Sequence, residues 1–243
     1  MDLATFLARR ASQTPPRYRD LCANCRKIVS TCYCATLRPF QSPVDFVILQ
    51  HEAEARNAIA TARMAHLSMR NSQLIVGRSF HDHALVNSMI ASPLQRNVML
   101  FPSADAMPIE ALFAEQQHVD PRPLVFWVLD AKWAQVPKML RLSPNLRQIP
   151  MVKFKPESAS RFRLRHQPEP AYLSTLESIH LVIDRFLQCT GQQSDDHHAL
   201  LDVFQAFVRQ QLDFVDPTRA TRHQVAKALR RARRSEQSST TGR

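Results

Sequence analysis

Only three glycines, Gly77, Gly191 and Gly242, occur in this 243-residue chain. A glycine-rich phosphate loop needs several positions where the backbone can approach the ligand closely, so a Walker loop and a GxGxxG turn are both excluded. Any nucleotide-like cofactor must be held in another way. Long apolar runs are also missing. No stretch of about 18 apolar residues exists, which excludes a helical membrane span. The opening MDLATFLARRASQTPP lacks the apolar centre and small-residue cleavage site of a signal peptide, so a cytoplasmic location is expected.

Acidic residues are scarce relative to basic ones, 21 against 32, for a net charge of +11. The excess is uneven. Residues 1–43 hold seven Lys/Arg against two acids, residues 138–165 eight against one, and residues 217–243 eight against one. The remainder is net acidic. Three basic blocks on an acidic body read as a footprint for a polyanion, with nucleic acid as the expected partner. The plainer alternative is a solvated basic face with a disordered tail.

Apolar periodicity places the elements. Val44–Leu49 (VDFVIL), Asn97–Phe101 (NVMLF) and Leu124–Leu129 (LVFWVL) are short, apolar and bounded by breakers, as buried strands are. Leu74–Val76 and Ile149–Phe154 are weaker strand candidates. Helical spacing covers residues 54–70, 108–117, 131–142, 173–187 and 197–214. Ser174 and Thr175 ahead of Glu177 form a capping signature. Strands alternating with helices predict an α/β fold, a mainly parallel sheet with helices on both faces. Ligands of such sheets sit beyond the carboxyl ends of the strands, which directs attention to the residues after Leu49, Phe101 and Leu129.

Four of the five cysteines fall within thirteen residues as Cys22-x2-Cys25-x6-Cys32-x-Cys34. A C-x2-C turn presents two thiolates to one metal and a second pair completes a tetrahedron, so a small N-terminal zinc knuckle is expected. Free or redox-active thiols and an iron–sulfur cluster are the alternatives. Cys189, alone in an apolar helix, reads as a core residue.

The ordered motifs resemble those of the DTW-domain family. They are the cysteine cluster, Gln50-His51-Glu52-Ala53-Glu54, Thr61-Ala62-Arg63, Leu100-Phe101-Pro102-Ser103, Leu129-Asp130-Ala131-Lys132-Trp133, Ser160-Arg161-Phe162-Arg163-Leu164-Arg165 and Leu173-Ser174-Thr175-Leu176-Glu177. Three positions depart from the family's pattern: Glu52 replaces a proline, Ala62 a glycine, and Lys132 the threonine of D-x-T-W. The resemblance implies a SPOUT-like core with a C-terminal trefoil-type knot. It further implies transfer of the 3-amino-3-carboxypropyl group of S-adenosylmethionine (SAM) to N3 of a tRNA uridine, releasing methylthioadenosine.

On that reading Asp130 is the catalytic carboxylate, accepting the N3 proton at the end of a strand. Its alternative is a helix N-cap. Pro102, Trp133, Ser174, Thr175, Glu177 and Arg165 are expected to bind SAM. His51, Lys132, Arg161, Arg230, Arg231 and Arg233 are expected to bind RNA. Trp133 can equally be core, Ser174 and Glu177 only a cap, and His51 a capping residue. His197 and His198, beside Asp195 and Asp196, read as a polar helix start. The expected organisation is an arm over residues 1–20, the knuckle over 21–38, the catalytic domain over 39–216 and a basic tail over 217–243. No membrane and no obligate protein partner are expected. The competing functions are modification, including methylation, of another RNA, and RNA binding without catalysis, which Lys132 suggests.

Overall fold

The computed structural model describes residues 20–118, 120, 122–155, 160 and 173–213. Apart from Asp20, the proposed arm lies outside them, as do the basic tail and Arg161, Arg165, Arg230, Arg231 and Arg233. Strands β1 (Asp45–His51), β2 (Ser72–Gly77), β3 (Arg96–Leu100), β4 (Met107–Pro108), β5 (Leu124–Asp130) and β6 (Met151–Lys153) form one sheet in the order β2-β1-β5-β3-β6-β4. Every strand pairing is parallel.

The central strands are buried on both faces, which is why they read as continuous apolar runs rather than alternating ones. Phe46 and Ile48 of β1, with Phe126 and Val128 of β5, face one core. Val47, Leu49, Val125 and Trp127 face the other. Trp127 is fully buried, and its indole N–H donates to Asn97 Oδ1 at 2.9 Å, so its polar handle is satisfied.

The helices are α1 (Glu52–Ala55), α2 (Ala62–Ser68), α3 (Ala84–Ala91), α4 (Ile109–His118), α5 (Val136–Leu142), α6 (Thr175–Thr190) and α7 (Ala199–Asp213). Residues of α2, α4, α6 and α7 enter the first core, and residues of α3 and α5 the second, so helices cover both faces. None of the described helices is long and apolar enough to cross a membrane.

The single helix expected over 54–70 is broken in two. Asn57 causes the break: its Oδ1 accepts from Ile59 N at 3.2 Å and its Nδ2 donates to Glu54 Oε2 at 3.1 Å, a local turn that competes with helix. Helix α3 and the edge strand β4 were not legible in the sequence. The 131–142 segment opens with a 3-10 turn, Trp133–Gln135, before α5, with Pro137 in the first turn where a missing N–H costs nothing. At the start of α6, Ser174 and Glu177 form the expected capping box, and Gly191 ends the helix with φ 68°. Cys189, expected in the core, is exposed near that end. The link from β6 to α6, which decides whether the C-terminal part is knotted, lies mostly outside the described residues.

Candidate active site

Strand β1 leaves through α1 and α2, over one face, to β2 at one edge. Strand β5 leaves through α5, over the opposite face, towards β6 on the other side. Their adjacent carboxyl ends are therefore a topological switch point, the usual place for a ligand crevice in such sheets. Gln50 and Asp130 are register partners there. Both are polar yet buried, at 1% and 4% exposure.

Gln50 Nε2 donates to Asp130 Oδ2 at 2.8 Å. Thr175 Oγ1, from the first residue of α6, donates to Asp130 Oδ1 at 2.5 Å. A carboxylate only accepts, so this pairing fixes the Gln50 amide and turns its Oε1 away. That oxygen is buried without a hydrogen-bond partner among the described residues. An unpaired buried acceptor costs about 1–3 kcal/mol, which a ligand donor would recover. The N-cap of the helical turn after β5 is Lys132, not Asp130. Asp130 instead ties β1, β5 and α6 together.

Other expected residues border this point. Trp133, 40% exposed, is no core residue; its ring lies 6.5 Å from that of Phe101, at the end of β3 and beside the exposed Pro102. Gln135 Oε1 accepts from Lys132 N at 3.3 Å, and the Lys132 side chain is exposed. His51 is half-buried and its Nδ1 accepts from Ala53 N at 3.1 Å, the capping alternative. Glu177 accepts from Ser174 N at 2.9 Å, Ser174 Oγ at 2.7 Å and Ser160 Oγ at 2.8 Å. Ser160 is thereby anchored at the start of α6.

The four clustered thiols converge. Cys22 and Cys34 Sγ are 3.7 Å apart, Cys25 and Cys32 Sγ 3.6 Å, and all four lie within 4.8 Å of one another. A tetrahedral ion with Zn–S bonds of about 2.3 Å needs its sulfurs roughly 3.8 Å apart. The donor set fits zinc. The amides of Cys25 and Asn24 hold the Cys22 thiol down to about 6, whereas burial pushes Cys34 up to about 12. This knuckle is part of the main core: Cys25 and Tyr33 are buried in it, and Tyr33 meets Phe207 of α7 edge-on at 5.9 Å.

Lys27, between the thiols, was not singled out in the sequence. Its Nζ donates to Ala58 O, and burial holds it down to about 8 despite the opposing pull of Cys25 and Asp130. Arg63 of the Thr61-Ala62-Arg63 segment is pushed down by burial and by Arg26. Gln50 was also missed as a site residue, although a buried glutamine ending an apolar strand is a readable signal.

The DTW domain profile matches residues 19–212. The chain belongs to the DTW domain family. It is similar to tRNA-uridine aminocarboxypropyltransferase 2 of Drosophila melanogaster, with 32% identity over 174 residues, 69% of this chain and 66% of that protein. Proteins of the same name from Macaca fascicularis and Mus musculus are 25% and 26% identical, over 67% and 65% of this chain. The matched stretches span 55% and 54% of those two proteins. The chain thus matches between about half and two thirds of the length of these relatives. No solved structure matches it.

Two departures from the DTW motifs have local explanations. Glu52 opens α1 and accepts from Arg78 Nε at 2.9 Å, an ion pair in the position of the proline. Ala62, fully buried, starts α2, where an alanine suits helix better than the glycine it replaces.

Proposed function

We propose that this chain transfers the 3-amino-3-carboxypropyl group of SAM to N3 of a uridine in tRNA. The observation that carries the reading is the Gln50–Asp130–Thr175 constellation at the switch point of the sheet, in a chain whose relatives are named tRNA-uridine aminocarboxypropyltransferase 2. In the reaction the uridine N3 attacks the γ-methylene carbon of SAM and the C–S bond breaks. Its electron pair neutralises the sulfonium, methylthioadenosine leaves, and the N3 proton passes to a base.

The leaving group is already good, so the protein's work is orientation and proton acceptance. Asp130 is assigned the base. Gln50 and Thr175 hold its carboxylate at the crevice, and the unpaired Gln50 Oε1 offers an acceptor to an N–H of uracil or to the SAM ammonium. Trp133 and Phe101, with Pro102, supply an apolar wall for adenine or uracil. Ser174, Thr175 and Glu177 shape the cofactor side, joined by Arg165. His51, Lys132 and Arg161, with Arg230, Arg231 and Arg233 of the tail, are assigned to RNA phosphates. Lys132 takes the place of the family's threonine as a phosphate or carboxylate contact.

Cys22, Cys25, Cys32 and Cys34 hold a structural zinc ion, which cross-links the knuckle without taking part in transfer. The reading also includes a SPOUT-like knot in the C-terminal part and a cytoplasmic setting. Product analysis tests it: purified protein, SAM and tRNA should yield methylthioadenosine in step with modified uridine. S-adenosylhomocysteine instead would indicate methylation, and neither product would indicate RNA binding without catalysis.

A further inference from the structure

A second group of candidate metal ligands stands apart from the cysteines. His180 lies on α6, and His197 and His198 in the 3-10 turn Asp196–His198 before α7. One ligand atom from each comes within 4.8 Å of the others. His180 Nε2 and His198 Nδ1 are 3.1 Å apart, and the three ring centroids lie 4.2–5.3 Å from one another. Two imidazoles on one tetrahedral ion, with metal–nitrogen bonds of about 2.0–2.1 Å, stand roughly 3.3 Å apart. The existing spacing needs little adjustment.

His197 decides between a polar helix start and a site. A polar turn would leave the ring in water, yet His197 is 3% exposed. Neither ring nitrogen makes a hydrogen bond of good geometry among the described residues, with the Asp184 carboxylate and the Ser194 backbone near enough to act on it. Unpaired buried polar atoms are costly, and a bound cation would satisfy one of them. Asp184, one turn after His180 on α6, places Oδ1 3.5 Å from His197 Nε2. A carboxylate at that position orients the ring and adds the negative charge that favours a cation. Neutral imidazoles select zinc, copper, nickel or cobalt over magnesium or calcium.

We infer that His180, His197 and His198, supported by Asp184, form a second metal site for a divalent transition ion. The ion would cross-link α6, whose first turn carries Thr175, to the start of α7, against which the cysteine knuckle rests. The role is a clamp on the helix pair. This inference does not depend on the transfer reaction.

The test uses untagged full-length protein with its cysteine cluster loaded with zinc, and Ni2+ as probe. Titration calorimetry should show about one Ni2+ bound per chain without release of zinc, and thermal unfolding should shift upward with added Ni2+. The double variant His180→Ala/His198→Ala alters half-exposed or exposed side chains and should keep its circular dichroism. Its Ni2+ affinity should fall roughly 100-fold or more, Asp184→Asn about tenfold, and Cys22→Ser not at all. If the double variant disturbs the fold, His198→Ala alone carries the comparison, with a loss of about tenfold. Equal Ni2+ affinity in wild type and the histidine variants would overturn the proposal. So would uptake that disappears in Cys22→Ser and persists without the histidines.

Discussion

Gln50 and Asp130 stand opposite each other on adjacent parallel strands, and the Gln50 amide donates to the Asp130 carboxylate at 2.8 Å. The pairing of β1 with β5 brings them together across 80 residues of sequence. Replacing Gln50 by leucine keeps the volume and removes the donor. Turnover should fall about 10- to 100-fold, the value of a hydrogen bond to a charged group, with SAM affinity little changed. Unaltered kcat in steady-state kinetics would separate Gln50 from the chemistry.

The two hydroxyls at the start of α6 should have different consequences. Ser174 belongs to the capping box, so Ser174→Ala should cost about 1 kcal/mol of stability and lower the unfolding midpoint. Thr175 Oγ1 instead donates to Asp130, so Thr175→Val should lower turnover more than it lowers stability. Paired calorimetry and kinetics on the two variants check this. Identical profiles would mean that α6 only supports the fold.

The cysteine cluster makes a prediction about reactivity. With zinc bound, all four thiolates are protected from alkylation. After chelation Cys22, whose thiol is held down to about 6 by the Cys25 and Asn24 amides, is the first to react, because its thiolate persists at pH values above about 6. Cys34, pushed up to about 12, stays protonated and slow at neutral pH. Mass-spectrometric mapping of iodoacetamide adducts gives the order. Metal analysis of protein purified without chelators should return about one zinc at this cluster, and its absence would contradict the assignment.

The sheet was legible because its central strands are buried on both faces, and a continuous apolar run such as LVFWVL then carries the signal. Helix α3 was not, since it lies on the second core with one fully buried residue, Val86. The split between α1 and α2 depends on the side chain of one asparagine, which periodicity does not register. Asp130 could be singled out because it ends a strand. Its partners Gln50 and Thr175, 80 and 45 residues away, could not be paired with it without the strand order. The approach of His180 to His197 and His198 was hidden for the same reason: it depends on how α6 meets the turn before α7.

The tail from Arg219 to Arg234 carries seven basic residues. Its removal should weaken tRNA binding for all sequences alike and flatten the dependence of log K on log salt by about 0.7–0.9 for each phosphate that the tail neutralises. Filter binding over a range of salt reads both quantities. An unchanged slope would mean that the tail touches no phosphate.

Asp130→Asn tests the central claim most directly, because it removes the base while preserving size and the Thr175 hydrogen bond. The Gln50 amide can turn over so that its Oε1 accepts from the new amide. Asp130→Ala would in addition leave Gln50 Nε2 and Thr175 Oγ1 without their acceptor, and so confound chemistry with stability. Single-turnover formation of methylthioadenosine, measured with saturating SAM and tRNA, should fall about 10²–10⁴-fold in the Asn variant, while calorimetric SAM affinity and the unfolding midpoint stay near wild type. A single-turnover rate close to that of the wild type would contradict the assignment of Asp130 as the base that accepts the N3 proton.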